Sequence, residues 1–333
     1  MKTISVVVPC FNEEQSLPEL HRRVSSALEQ VAHTVEFVFV DDGSSDRTVE
    51  MIREAHAHDP RVRGLTLARN FGHEAAIEAG LREASGDAVI VMDADLQDSP
   101  EALLQLIAAW EDGADVAYAV RRNRKEGALL RTAFSAFYRL AERMMSIALP
   151  RDAGPFSLMS RRTVDALNAM PEYNRYFPGL RAFAGFRQVP VEVERNERLL
   201  GETKYSLIKR TAGAINAIIS FSKLPLRLVT MLGFISAGVA ILGGMFVIIG
   251  SLFTDSLVPG WASLIVVVLL LAGVQLLTLG IVGEYVGKIY DEVRRRPTFL
   301  AADRIGTAPS SERRDRGARE HDENRAQNGP RQI

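Results

Sequence analysis

One cysteine in 333 residues, Cys10, rules out an intramolecular disulfide and suits a catalytic part held in a reducing compartment. Excess charge of either sign is missing too. Forty Lys and Arg against 41 Asp and Glu leave a net charge of −1, so no broad positive field points to nucleic acid. No G-x-G-x-x-G follows the first apolar run, which argues against a dinucleotide-dependent oxidoreductase. The opening run "KTISVVVP" lacks the length and the cleavage site of a signal peptide.

Two long stretches lack charge altogether, Leu228 to Phe253 and Trp261 to Val282. Each exceeds the roughly 20 residues that a helix needs to cross a bilayer core. Lys223 and Arg227 precede the first stretch, and Lys288, Arg294, Arg295 and Arg296 follow the second. The connecting "TDSLVPG" has no Lys or Arg, so the charge bias places both termini in the cytoplasm, with the loop outside. The expectation is an inner-membrane protein with two spans (227–288), its bulk cytoplasmic.

What is present in the first 125 residues is alternation. Short Val- and Ile-rich runs, Ile4–Pro9, Phe37–Val40, Val62–Ala68, Ala88–Met92 and Val116–Val120, predict strands. Helical patterns lie between them at Glu14–Ala32, Thr48–Ala57, His73–Ala84 and Pro100–Trp110. This α/β order predicts a mostly parallel sheet covered on both faces. In "VIVMDADLQDSPE" the fourth run enters a loop carrying Asp93, Asp95, Gln97 and Asp98, and Ser99 before Pro100 is a helix start with a capping hydroxyl. Ligands of open α/β sheets bind at that strand edge. Two carboxylates one residue apart repel unless a cation lies between them, and hard oxygen ligands suit Mg²⁺ or Mn²⁺ bridging to substrate phosphates. Further polar groups crowd the first and second strand tips: Pro9, Asn12, Glu13 and Glu14 in "VVVPCFNEEQSL", Asp41 and Asp42 in "FVFVDDGSSDRT". His73 reads as a helix-start polar residue, since no His or Cys at metal-ligand spacing surrounds it.

"VVVPCFNEE", "VFVDDGSSDRT", "LARNFGHEAAIEAG" and "VIVMDADLQDSPE", with "GETKYSLIK" and "FSKLPLRL" further on, together resemble the GT-A fold glycosyltransferases of family 2. The likeness is greatest to polyprenyl-phosphate glycosyltransferases, the bactoprenol glucosyltransferases and dolichyl-phosphate mannose synthase. It implies a Rossmann-like catalytic domain over 1–205. Pro9, Asn12, Glu13 and Asp42 would line the nucleotide pocket, joined by Asp93 and Gln97. Asp93, Asp95 and Gln97 would hold Mg²⁺ or Mn²⁺, with Asp93, Asp95 and Asp152 as catalytic residues. It further implies inverting transfer from a nucleotide-sugar donor, UDP-glucose first, to polyprenyl (undecaprenyl) phosphate at the cytoplasmic leaflet, by a homo-oligomer, a tetramer in relatives, that needs no nucleic acid. GDP-mannose, UDP-N-acetylhexosamine and an aminoarabinose donor stay open.

Membrane and acceptor features accompany that core. Segments 129–149 and 206–226 carry apolar residues at helical spacing with basic residues beside them, and predict interfacial amphipathic helices. Packing on the domain is compatible with the same pattern. Arg122, Arg131 and Lys204, from two basic clusters, are candidates for the acceptor phosphate, with attraction to anionic lipid as the alternative. In "RDAGPFSLMSRR" Pro155 and Ser157 stand where relatives carry an acidic or polar and a basic residue; a catalytically weakened scaffold is the alternative this departure leaves open. A processive polysaccharide synthase is disfavoured by the two spans and the missing Q-x-x-R-W motif, and a nucleotidyltransferase by the interfacial segments. Residues 289–333 read as a cytoplasmic tail, largely disordered from about 303.

Overall fold

The structure, a computed structural model, describes residues 1–121, 153–193, 224–253 and 261–306. Nine elements alternate through its first part: β1 (Thr3–Cys10), α1 (Leu17–Leu28), β2 (Thr34–Asp41), α2 (Thr48–His58), β3 (Val62–Leu67), α3 (His73–Glu83), β4 (Ala88–Val91), α4 (Pro100–Glu111) and β5 (Val116–Arg121). All nine follow the sequence pattern. α1 is shorter than expected, starting at Leu17 because Pro18 fits only a first turn. Ser99 does stand at the N-cap of α4 in an extended conformation, but its hydroxyl makes no capping bond, so proline alone marks that start.

The strands join one sheet of eight in the order β7-β5-β6-β4-β1-β2-β3-β8, completed by β6 (Ala153–Ser160), β7 (Gln188–Val193) and β8 (Ala301–Ile305). β1 pairs in parallel with β2 and β4, β2 with β3, and β5 with β7. β6 runs antiparallel between β4 and β5, and β8 antiparallel to β3. Alternate residues of each strand feed opposite cores. Ile4, Val6 and Val8 pack with Phe37, Phe39 and Leu103 on one face, whereas Val7 packs with Val38, Ile77 and Leu180 on the other. This burial on both faces explains why the parallel strands read as continuous apolar runs.

Pro155 lies within β6, an internal strand, where a residue without an N–H is tolerated only at an irregularity. The pairing supplies one: β6 and β5 shift register between Tyr118 and Val120, and the ladder with β4 ends at Ser157. Ser157 is buried and its hydroxyl donates to the Pro155 carbonyl, 2.9 Å away.

After β6 come α5 (Arg161–Ala169) and α6 (Phe177–Phe183), then two long apolar helices, α7 (Leu224–Phe253) and α8 (Trp261–Arg294). Both are long and apolar enough to cross a membrane, and their windows Leu226–Gly243 and Leu270–Arg294 have no buried residues. α8 continues past the uncharged run to Glu292, whose carboxylate accepts the Tyr173 backbone N–H at 3.0 Å. The chain then returns to the eight-stranded sheet. Asp303, Arg304 and Ile305, expected in a disordered tail, instead belong to β8. An open β3 edge carries unpaired ladder groups, and β8 satisfies them. Ile305, 8% exposed, seals the core, while Arg53–Asp303 (2.8 Å) and Arg304–Glu83 (3.2 Å) flank it. Expected features at 129–149, 206–223, the loop 254–260 and the tail beyond 306 lie outside the described residues.

Candidate active site

The tips of β1, β2 and β3 are laced together by polar side chains. Asn12 takes a left-handed conformation (φ 55°), which asparagine tolerates better than most residues. From there its N–H donates to Ser44 Oγ (2.9 Å), and its Oδ1 accepts the Ser45 N–H (2.9 Å). Glu13 donates its N–H to Thr48 Oγ1 at 2.9 Å. Gly43 (φ 69°) packs against the next loop so closely that a Cβ would lie 2.5 Å from the Arg69 carbonyl carbon. Asp42 completes the lacing: its carboxylate accepts the N–H groups of Phe71 (2.7 Å) and Gly72 (3.0 Å). Burial raises the Asp42 carboxyl above its ordinary value, although those N–H groups pull it down. Pro9 is buried in β1 opposite Val40 and shapes the tip from beneath.

The β4 tip is built differently. Asp93, Asp95 and Gln97 are half-buried, and buried Met92, Ala94 and Leu96 alternate with them. Leu96 is left-handed (φ 60°), a conformation strained for leucine, and the Gln97 N–H reaches back to Asp95 Oδ1 at 3.2 Å. The loop therefore anchors its apolar members and keeps both aspartates at the sheet edge. His73, the first residue of α3, brings Nε2 to 3.4 Å from Asp93 Oδ1. Next to it Glu74 accepts the Phe177 N–H at 2.9 Å, and burial raises its carboxyl, with Asp93 adding to the effect and His73 opposing it.

A family profile described as Glycosyl transferase family 2 matches residues 5–167. An uncharacterized glycosyltransferase of Bacillus subtilis, YkcC, is 43% identical over 303 residues, 91% of this chain and 94% of that protein. A prophage bactoprenol glucosyl transferase homolog of Escherichia coli is 39% identical, covering 89% and 97%. The bactoprenol glucosyl transferase of Shigella phage SfII is 41% identical, covering 89% and 96%. The chain belongs to glycosyl transferase family 2.

In this family 2 glycosyltransferase, an enzyme of the GT-A α/β fold, the structure brings Asn12, Glu13 and Asp42 together at one set of loops. It places Asp93, Asp95 and Gln97 on the neighbouring β4 tip. Asp152, Arg122, Arg131 and Lys204 lie outside the described residues. Sequence reasoning missed three groups. His73 is the helix-start residue that the sequence predicts, but its ring also meets Asp93. Glu74 and Arg181 carried no signal, because only the fold shows that α3 and α6 approach the same edge.

Proposed function

We propose that this glycosyltransferase moves a hexose, glucose first, from a UDP-sugar to a polyprenyl phosphate such as undecaprenyl phosphate, with inversion, at the cytoplasmic leaflet. The observation that carries the reading is a physical link. The domain bearing the Asp93–Asp95 tip is tied through Tyr173 to Glu292 on α8, one of two apolar helices whose exposed faces fit a bilayer. Relatives named for bactoprenol as acceptor and glucose as the transferred sugar support the same choice.

Asn12, Glu13 and Asp42, with Pro9 beneath, would seat the nucleotide. Among the described residues no three His, Cys, Asp or Glu form a ready-made metal cage. Asp93, Asp95 and the Gln97 carboxamide offer oxygen donors, a set that fits Mg²⁺ or Mn²⁺ completed by diphosphate and water. A bound divalent ion would act there as a Lewis acid, stabilising charge on the departing diphosphate. An acceptor phosphate oxygen attacks the anomeric carbon as its bond to the UDP oxygen breaks. A phosphate monoester has a second pKa of about 6, so the nucleophile is largely dianionic at neutral pH and needs no general base. That accounts for chemistry with Pro155 in the slot where relatives carry an acidic or polar group. Asp152 is proposed beside the reacting centre, Arg122, Arg131 and Lys204 around the acceptor phosphate, and the chain as a homo-oligomer.

The test is transfer itself. Detergent-purified protein with Mg²⁺, undecaprenyl phosphate and labelled UDP-glucose should yield extractable labelled lipid, abolished by EDTA. Asp95→Asn should lower the rate about 100-fold or more. Label remaining in the aqueous phase across a panel of UDP- and GDP-sugars would sink the reading and favour the weakened scaffold.

A further inference from the structure

α6 is a short helix whose first five residues, Phe177 to Arg181, are all buried. Phe177 and Leu180 fill the core, and Arg181, 0% exposed, is the one charged residue buried with them. Its Nη1 donates to the Gly154 carbonyl at 3.2 Å, and its guanidinium lies over the Tyr118 ring (5.2 Å) and near that of Phe177 (5.8 Å). Nε and Nη2 have no hydrogen-bond partner, and no carboxylate pairs with this cation among the described residues. Burial lowers its pKa only to about 10, so it remains charged at neutral pH.

Those two donors form one edge of the planar fork. Elsewhere in the chain the same Nε/Nη2 edge grips a carboxylate: Arg22 on Glu19, Arg61 on Asp59 and Arg162 on Asp115. Arg181 holds this edge buried and unmatched, a costly state for a charged group unless something binds it. Its location says what could. Gly154 is at the start of β6, whose Ala153 pairs with Val120 at the end of β5. The adjoining ladder with β4 ends at Val91–Ser157, where the chain departs into Asp93 and Asp95. The guanidinium therefore lies at the aspartate-bearing edge of the sheet, on the side of β6.

We propose that Arg181 is a buried receptor for a phosphate-type oxyanion in this site, taken on its Nε/Nη2 edge. The inference rests on the proposed transfer for the source of that oxyanion: the diphosphate of the donor or the monophosphate of the acceptor. Both have the same recognition chemistry.

The experiment uses full-length protein in detergent, with Arg181→Met and Arg181→Lys. Thermal unfolding is measured without ligand, and binding is measured with inorganic pyrophosphate plus Mg²⁺ and, separately, with farnesyl phosphate. Arg181→Met should unfold at or above the wild-type temperature, because it removes an unmatched buried charge. It should also weaken at least one probe about 30-fold or more. Arg181→Lys, which keeps the charge and loses the fork, should fall between. Loss confined to pyrophosphate assigns the donor diphosphate, loss confined to farnesyl phosphate assigns the acceptor, and loss of both assigns a shared seat. The proposal is overturned if Arg181→Met unfolds well below wild type, if wild type binds neither probe, or if both variants bind both probes as wild type does. Neither binding assay requires sugar transfer. Arg181-dependent binding without transfer would therefore refute the transferase reading alone, and transfer with unchanged binding would refute the oxyanion seat alone.

Discussion

The loop before α6 and α6 itself each bury an arginine, six residues apart, and the two are treated in opposite ways. Each nitrogen of the Arg175 guanidinium has an acceptor beside it: Nη1 donates to the Met170 carbonyl (2.9 Å), Nη2 to the Leu167 carbonyl (2.8 Å), and Nε lies 3.5 Å from the Glu78 carboxylate. Its side chain is 7% exposed and that of Glu78 1%. Arg181 has one carbonyl and two faces of aromatic ring. The first arrangement fastens α5, α3 and the connecting loop. The second leaves directional donors beside the candidate site. Burial alone thus says little about what a cation is for; what decides it is whether its donors are already matched.

The comparison can be broken most forcefully at Arg175. Arg175→Met should destabilise the protein by about 3 kcal/mol in chemical or thermal unfolding, the low end for breaking a buried pair, since Arg82 still contacts Glu78 at 2.6 Å. Unfolding at or above wild type, as expected for Arg181→Met, would erase the distinction. Replacing both members, Arg175→Met with Glu78→Met, should recover much of the loss, to within about 1 kcal/mol of wild type, because neither charge is then stranded. Acid sharpens the contrast from the carboxylate side. The Arg162 hydrogen bonds hold the Asp115 carboxyl below its ordinary value. Stability from that pair is present above the unfolded carboxylate value of about 4 and lost as pH falls through the lower folded value. Wild type should therefore lose more stability than Asp115→Asn between pH 5 and pH 2, read by unfolding at each pH. The smallest effect belongs to an exposed arginine. Arg53 and Asp303 are half exposed, and Arg53→Ala should cost no more than about 0.5 kcal/mol.

Much of this architecture was legible because the parallel strands are buried on both faces and their helices carry apolar stripes. Ile4–Pro9 and Ala88–Met92 announce themselves as apolar runs. The Asp93–Asp95 tip was legible for a related reason: carboxylates directly after such a run can lie only at its end. β8 was not legible, because "AADRI" is short and carries two charges in five residues, and its pairing depends on an edge almost 240 residues earlier in the chain. The meeting of His73 with Asp93 needed the α3 start and the β4 tip to be brought side by side. Arg181 escaped for the opposite reason. One arginine in "FPGLRAF" looks like the polar face of a helix, and only three-dimensional packing shows it pointing inward.

β7 and β8 are the two selvedges of the sheet, and the apolar helices lie between them in the chain. The catalytic fabric is therefore hemmed on one side before the chain reaches α7 and on the other only after it leaves α8. A fragment cut at residue 205 would retain the Asp93–Asp95 tip and still be a frayed cloth. Its β3 ladder groups would be bare, ready to stitch onto another copy. A soluble catalytic fragment that stays monomeric needs the 299–306 segment returned to it, by fusion or as a peptide.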